Sequence, residues 1–310
     1  MSPDASDSAA ASAPLARRRG VTRRALLRGA LGVLGAGACG AAYAHLIEPY
    51  WLRVERVRLA LPRLAPAFEG FRIAQLSDLH VDDERVARFV AHVIECTNGL
   101  APDLVVITGD YITNGRREQL ETVARLVRAL ATRAAVLAIL GNHDYYDMYG
   151  WRRGGRLRGP IADDLGAALT NAGAIVLRNR RHVVRRDGAA LQIVGLDDLM
   201  SPGYDPARAF VDVERGGPCI ALSHNPDTIE DLARMPCDAI LAGHTHGGQV
   251  RLPLIGAPML PVKHVEYDAG LFRVGRQQLY VNRGIGHLWP VRFGCRPELT
   301  LFTLSAAGTA

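Results

Sequence analysis

Along the 310-residue chain, short uninterrupted apolar runs alternate with segments whose apolar positions recur every three or four residues. The runs at residues 71–77, 104–108 and 135–140 predict buried strands. Between them, Val86, Phe89, Val90 and Val93 predict a helix over residues 85–96, closed by Asn98-Gly99. Leu120, Val123, Leu126, Val127 and Leu130 predict a second helix over residues 118–131. Alternation of this kind specifies a βαβ chain. A further helix is expected around residues 161–172, then short strands at 175–177, 183–185 and 191–194. Two more apolar runs follow at 219–222 and 239–241, and residues 271–274, 279–281 and 299–304 read as antiparallel strands. Residues 53–61, flanked by Pro49, Pro62 and Pro66, read as an edge strand. The expected fold class is α/β, with two mixed β-sheets packed as a sandwich and flanked by helices.

The N-terminal end breaks this pattern. Residues 1–20, rich in Ala, Ser and Pro, read as disordered. Thr22-Arg23-Arg24-Ala25-Leu26-Leu27-Arg28 resembles a twin-arginine export signal in nearly every position. Residues 29–47 then run without Asp, Glu, Lys or Arg, and at 1.5 Å per residue they span about 28 Å, close to a bilayer core. Ala42-Tyr43-Ala44 offers a cleavage site, and Pro49-Tyr50-Trp51 offers an interfacial flank for an uncleaved anchor. The chain thus divides into 1–44, a twin-arginine signal or membrane anchor; 45–70, a linker and edge strand; and 71–310, the catalytic domain. An exported protein is expected, periplasmic or in the cell envelope, anchored to the inner membrane through residues 25–47 if the signal is kept.

Charge supports this division. Six arginines and two aspartates give residues 1–44 a net +4 of the chain's +6, leaving +2 on the remainder. A body so nearly neutral offers no electrostatic reason to bind nucleic acid. The five cysteines (Cys39, Cys96, Cys219, Cys237 and Cys295) have no CxxC spacing and read as small buried hydrophobes, with a disulfide among the last four open in an oxidising compartment.

The candidate chemistry lies where apolar runs end. Asp78-x-His80 follows the first strand, Gly109-Asp110 the second and Gly141-Asn142-His143-Asp144 the third. Ser223-His224-Asn225 follows residues 219–222, and Gly243-His244-Thr245-His246-Gly247-Gly248 follows residues 239–241. Five of the ten histidines sit in these loops, a concentration that unrelated surface turns would not produce. Strand C-termini meeting at one sheet edge are where α/β enzymes assemble sites.

This ordered series resembles the calcineurin-like metallophosphoesterase superfamily, over about residues 71–304. The contexts around Asp78, His224 and His246, with Asn282-Arg283-Gly284-Ile285-Gly286, look like the bacterial phosphodiesterase branch with twin-arginine or membrane-anchoring N-termini. The resemblance implies two divalent metals, with Asp78, His80 and His246 on the first, Asn142, His224 and His244 on the second, and Asp110 bridging. It further implies a hydroxide bridging both ions as nucleophile, His143 facing the leaving-group oxygen, and Asp144 orienting the other nitrogen of His143. The charge balance agrees, since two divalent ions outweigh the two carboxylates among seven ligands and leave the site attractive to phosphate. A mixed N/O donor set without thiolate suits Mn²⁺, Fe²⁺ or Zn²⁺.

The expected activity is hydrolysis of a phosphodiester or pyrophosphate bond in the cell envelope. Members of this branch act on UDP-linked acylated glucosamine, and a phosphoester or nucleotide-linked substrate is expected here. The alternative is a phosphomonoesterase or nucleotidase on the same fold. A non-catalytic scaffold would have lost ligands such as Asp110 or the neighbouring His143, and none is missing. Tyr145, Tyr146 and Tyr149 with Trp151, Arg152 and Arg153 read either as a substrate wall or as an ordinary exposed loop.

Overall fold

The computed structural model of the chain describes residues 22–113, 117–130, 135–145 and 159–307. Residues 1–20, expected to be disordered, lie outside the described residues. The chain divides between Ala42 and Tyr43 into two compact units.

The first unit contains the helix α1 (Arg23–Ala42), whose Leu26, Leu27, Leu31, Val33 and Leu34 are exposed. The 25 residues Leu26–Tyr50 are long and apolar enough to cross a membrane, by length and composition, as a signal sequence also would be.

The second unit is built on two six-stranded sheets. The first has the order β1 (Arg53–Leu61), β12 (Glu298–Ala306), β2 (Arg72–Leu76), β3 (Leu104–Thr108), β4 (Ala135–Ile139), β5 (Ile175–Val176). The second has the order β10 (Gly270–Val274), β11 (Gln277–Val281), β9 (Ala239–Ala242), β8 (Cys219–Leu222), β7 (Ala189–Gly195), β6 (Arg180–Arg186). Leu59, Ile73, Val106, Leu137 and Phe302 from the first sheet meet Ile193, Ile220 and Leu241 from the second in one apolar layer. Three helices, α2 (Glu84–Gly99), α3 (Arg117–Leu130) and α4 (Gly159–Asn171), bury their apolar stripes with the outer face of the first sheet. Val90, Val93, Val123 and Val127 are fully buried there, because the three-to-four spacing lines them along one helix face.

Strand direction is more mixed than the sequence suggests. The pair β10–β11 is antiparallel as expected, yet β11 runs parallel to β9, and β12 runs antiparallel to β2 while parallel to β1 over nine residues. Apolar runs give strand positions but carry no record of partner direction. The consequence is that β2, β3 and β4 are mutually parallel in one sheet, and β7, β8 and β9 in the other. Their C-terminal ends open onto a shared edge, where the His224 ring of the second sheet reaches the Thr108 carbonyl of the first.

Candidate metal centre

All five motif loops leave the ends of those parallel strands, and their side chains meet in the interior. Asp78, His80, Asp110, Asn142, His224, His244 and His246 are all buried. Nε2 of His80 lies 3.1 Å from Nε2 of His246, which is 3.4 Å from Oδ1 of Asp78. Nε2 of His224 lies 3.1 Å from Oδ1 of Asn142 and 3.2 Å from Nδ1 of His244. Asp110 stands between the groups, with Oδ2 at 3.1 Å from His224 and 3.5 Å from His80. Donors that share one ion at about 2.1 Å lie about 3.0 Å apart at octahedral and about 3.4 Å apart at tetrahedral angles, so these spacings fit paired cations. Potential ligand atoms fall within 4.8 Å of one another in the sets Asp78–His80–His246 and Asp110–His224–His244.

The backbone is bent to make this possible. Asp78, His80, Asp110, His244 and His246 all have positive φ, from 42° to 69°. Residues with a Cβ seldom adopt this conformation, and where they do the strain tends to belong to a site. Close approach also limits what can stand nearby. A Cβ on Gly141 would overlap the Asp110 carboxylate, and one on Gly284 would press on Asp78 and the His246 ring at 2.8 and 3.1 Å. Both positions require glycine.

Groups outside the donor set fix the imidazoles. Nδ1 of His224 donates to the Thr108 carbonyl at 2.7 Å, which turns Nε2 inward. Nε2 of His244 lies 3.2 Å from the Pro261 carbonyl, leaving Nδ1 for the site. The Thr113 hydroxyl is 2.8 Å from Nδ1 of His80. Arg292, wholly buried, gives its guanidinium to the carbonyls of Arg283, Gly284 and Gly286 and lies 3.5 Å from Nδ1 of His246. Burial lowers the pKa of His80 and His246 well below the imidazole range and that of His244 to about 3, so all three are neutral donors. His224 runs the other way: burial pulls its pKa down, but the Asp110 carboxylate beside it outweighs this and raises it well above the imidazole range.

His143 and Asp144 take different places from those expected of a pair. The His143 ring packs edge-on against His80 with centroids 4.9 Å apart, and its buried Nδ1 has no hydrogen-bond partner. Asp144 does not orient it. Its carboxylate accepts from the main-chain N–H groups of Asp110, Tyr111 and Gly141, each at 2.9 Å, tying the loop after β3 to the loop after β4. Short carboxylates satisfy loop amides readily, and three such donors outcompete one ring nitrogen. Tyr145 is no substrate wall either, being buried with its hydroxyl donated to Asp197. Tyr146, Tyr149, Trp151, Arg152 and Arg153 lie outside the described residues. The supporting Thr108 and Pro261 carbonyls were invisible to sequence reasoning because any residue type supplies them. Thr113, three residues after Asp110, was the one signal available.

Comparison with known proteins decides what this centre belongs to. Residues 71–248 match the family described as calcineurin-like phosphoesterase. The chain belongs to the calcineurin-like phosphoesterase family. This metallophosphoesterase is 33% identical to phosphodiesterase YaeI of Escherichia coli, over 92% of this chain and 99% of that protein. It is 34% identical to the uncharacterized metallophosphoesterase YkuE of Bacillus subtilis, over 92% and 98%. With the UDP-2,3-diacylglucosamine pyrophosphatase LpxG of Chlamydia trachomatis it shares 31% identity, over 84% and 91%. The metallophosphoesterase is therefore a metal-dependent phosphoester hydrolase.

Proposed function

We propose that this metallophosphoesterase hydrolyses phosphodiester or pyrophosphate bonds at a membrane surface in the cell envelope, with UDP-linked acylated sugars as its substrate class. The observation that carries the reading is the shared Asp110, one carboxylate within reach of both histidine groups. In this reading Asp78, His80 and His246 hold one divalent ion (Mn²⁺, Fe²⁺ or Zn²⁺), Asn142, His224 and His244 hold the other, and Asp110 serves both. Bound divalent ions supply Lewis acidity, which lowers the pKa of water and offsets phosphoryl charge. The chain's own groups do the rest. Thr108, Thr113 and Pro261 keep the imidazoles of His224, His80 and His244 turned so that the correct nitrogen faces the site. Asp144 holds the two loops that carry Asp110 and Asn142 in register. His143 keeps Nδ1 free to meet the leaving-group oxygen and, when protonated, to donate to it.

The N-terminal segment supports the membrane location. Thr22–Arg28 suits the twin-arginine machinery, and the apolar helix that follows suits a bilayer. Retention as an anchor is the reading favoured over cleavage after Ala44. Ala44 is buried and its carbonyl accepts from the Arg292 N–H at 2.9 Å, whereas a protease needs an accessible, extended segment.

The substrate reading is tested on metal-quantified protein with paired model compounds. Bis-p-nitrophenyl phosphate is expected to turn over faster than p-nitrophenyl phosphate, and a UDP-linked diacylglucosamine is expected to be hydrolysed. A strong monoester preference would instead establish the phosphomonoesterase or nucleotidase alternative.

A further inference from the structure

The loop after His246 has a surface that folding alone does not explain. It starts at Gln249, just past the turn His246–Gly248, turns back at Gly256 with the Leu252 and Gly256 main chains paired in both directions at 2.9 Å, and returns to Pro261. Leu252, Leu254, Ile255 and Met259 are exposed, and Leu254, at the tip, is fully so. Leu254 also has φ +65°, a conformation unfavourable for a bulky side chain. A strained leucine in water contributes nothing to packing, and strain of this kind is a pointer to function.

The same strip of chain anchors the entry of the N-terminal segment. The Phe293 carbonyl accepts from Arg251 at the base of the loop, and the Phe293 ring packs edge-on against Tyr43 at 6.4 Å. The Gln249 side chain donates to the carbonyls of Trp289 and Val291. Near that junction Leu46, Ile47, Trp51 and Trp289 are exposed as well. Among the described residues outside α1, these two groups account for eight of the twelve exposed large hydrophobics, so the exposure is concentrated rather than scattered. Arg251 pairs with Asp268 at 2.6 Å and Lys263 with Glu230 at 2.8 Å, so the loop's two cations are already neutralised and what it turns to solvent is mainly apolar.

We infer that the 249–261 loop is a membrane-inserting lip whose partner is the lipid bilayer. The inference rests on the anchored reading above and deepens it. Pro261 at the end of the lip holds His244 of the site, so seating the lip in the bilayer sets the candidate metal centre at the headgroup level. A lipid-linked phosphoester could then reach the centre without leaving the membrane.

The test uses the full chain with Cys39 and Cys96 changed to serine and Leu254→Cys carrying an environment-sensitive fluorophore. Mixed with vesicles of phosphatidylethanolamine and phosphatidylglycerol, the protein is expected to co-float, the label to brighten several-fold and shift to the blue, and brominated lipid to quench it. The same label at Arg128→Cys, in the last turn of α3 and away from the strand ends that form the site, is expected to keep its aqueous spectrum. Co-flotation with a water-like Leu254 label overturns the lip while leaving the anchor standing. A blue shift without quenching means that a second copy covers the loop, and overturns it too. Failure to co-float removes both the anchor and the lip.

Discussion

Replacing Asp110 by alanine is expected to bring turnover below detection and to lower bound metal from two equivalents per chain to one or fewer. The carboxylate is buried and lies between two donor groups, with Oδ2 3.1 Å from His224 and 3.5 Å from His80. Its Oδ1 also accepts from the His143 N–H at 2.9 Å, so the truncation frees the loop that carries Asn142 and His143. Leaving a buried N–H unpaired costs about 1–3 kcal/mol, which is smaller than the electrostatic loss of the only negative charge shared by both groups. Asp110→Asn separates the two effects. It keeps an acceptor for His143 and should restore stability, while metal content and activity stay low. Elemental analysis beside a diester assay reads both quantities, and full metal retention in Asp110→Ala would remove Asp110 from its shared position.

The second large effect is on rate alone. His143→Ala is expected to lower kcat by roughly 10²–10⁴ with both metals still bound, the usual range for loss of a positioned proton donor. The ring's free Nδ1 and its edge-on packing against His80 place it beside the donor set, with main-chain rather than side-chain ties to Asp110. His80, Asp110 and His143 also come within 4.8 Å of one another, so a ligand role for His143 is the direct competitor. Metal content distinguishes the two. Loss of metal in His143→Ala equal to that in Asp110→Ala would make His143 a ligand and end the division of roles.

Much of this centre was legible because its donors follow apolar runs closely. Once residues 71–77, 104–108 and 135–140 were read as parallel strands of one sheet, Asp78, Asp110 and Asn142 had to emerge at the same edge. What the sequence did not contain was the pairing of elements distant in the chain. Nothing in Glu298–Ala306 announces that it inserts between β1 and β2, parallel to one and antiparallel to the other. Asp144 shows a similar limit at the scale of a single side chain. The family resemblance implied that it partners the His143 ring, but the backbone turn points its carboxylate at the amides of neighbouring loops. Arg292 was missed for a related reason. An arginine reads as a surface residue even between Val291 and Phe293, and only the fold encloses it beside His246.

Anomalous diffraction from crystals of the full chain grown with Mn²⁺ tests the central claim most directly. Two peaks about 3.5–4 Å apart are expected, with the Asp110 carboxylate touching both, Asp78, His80 and His246 on one side and Asn142, His224 and His244 on the other. A single peak, or two peaks that do not share Asp110, would contradict it.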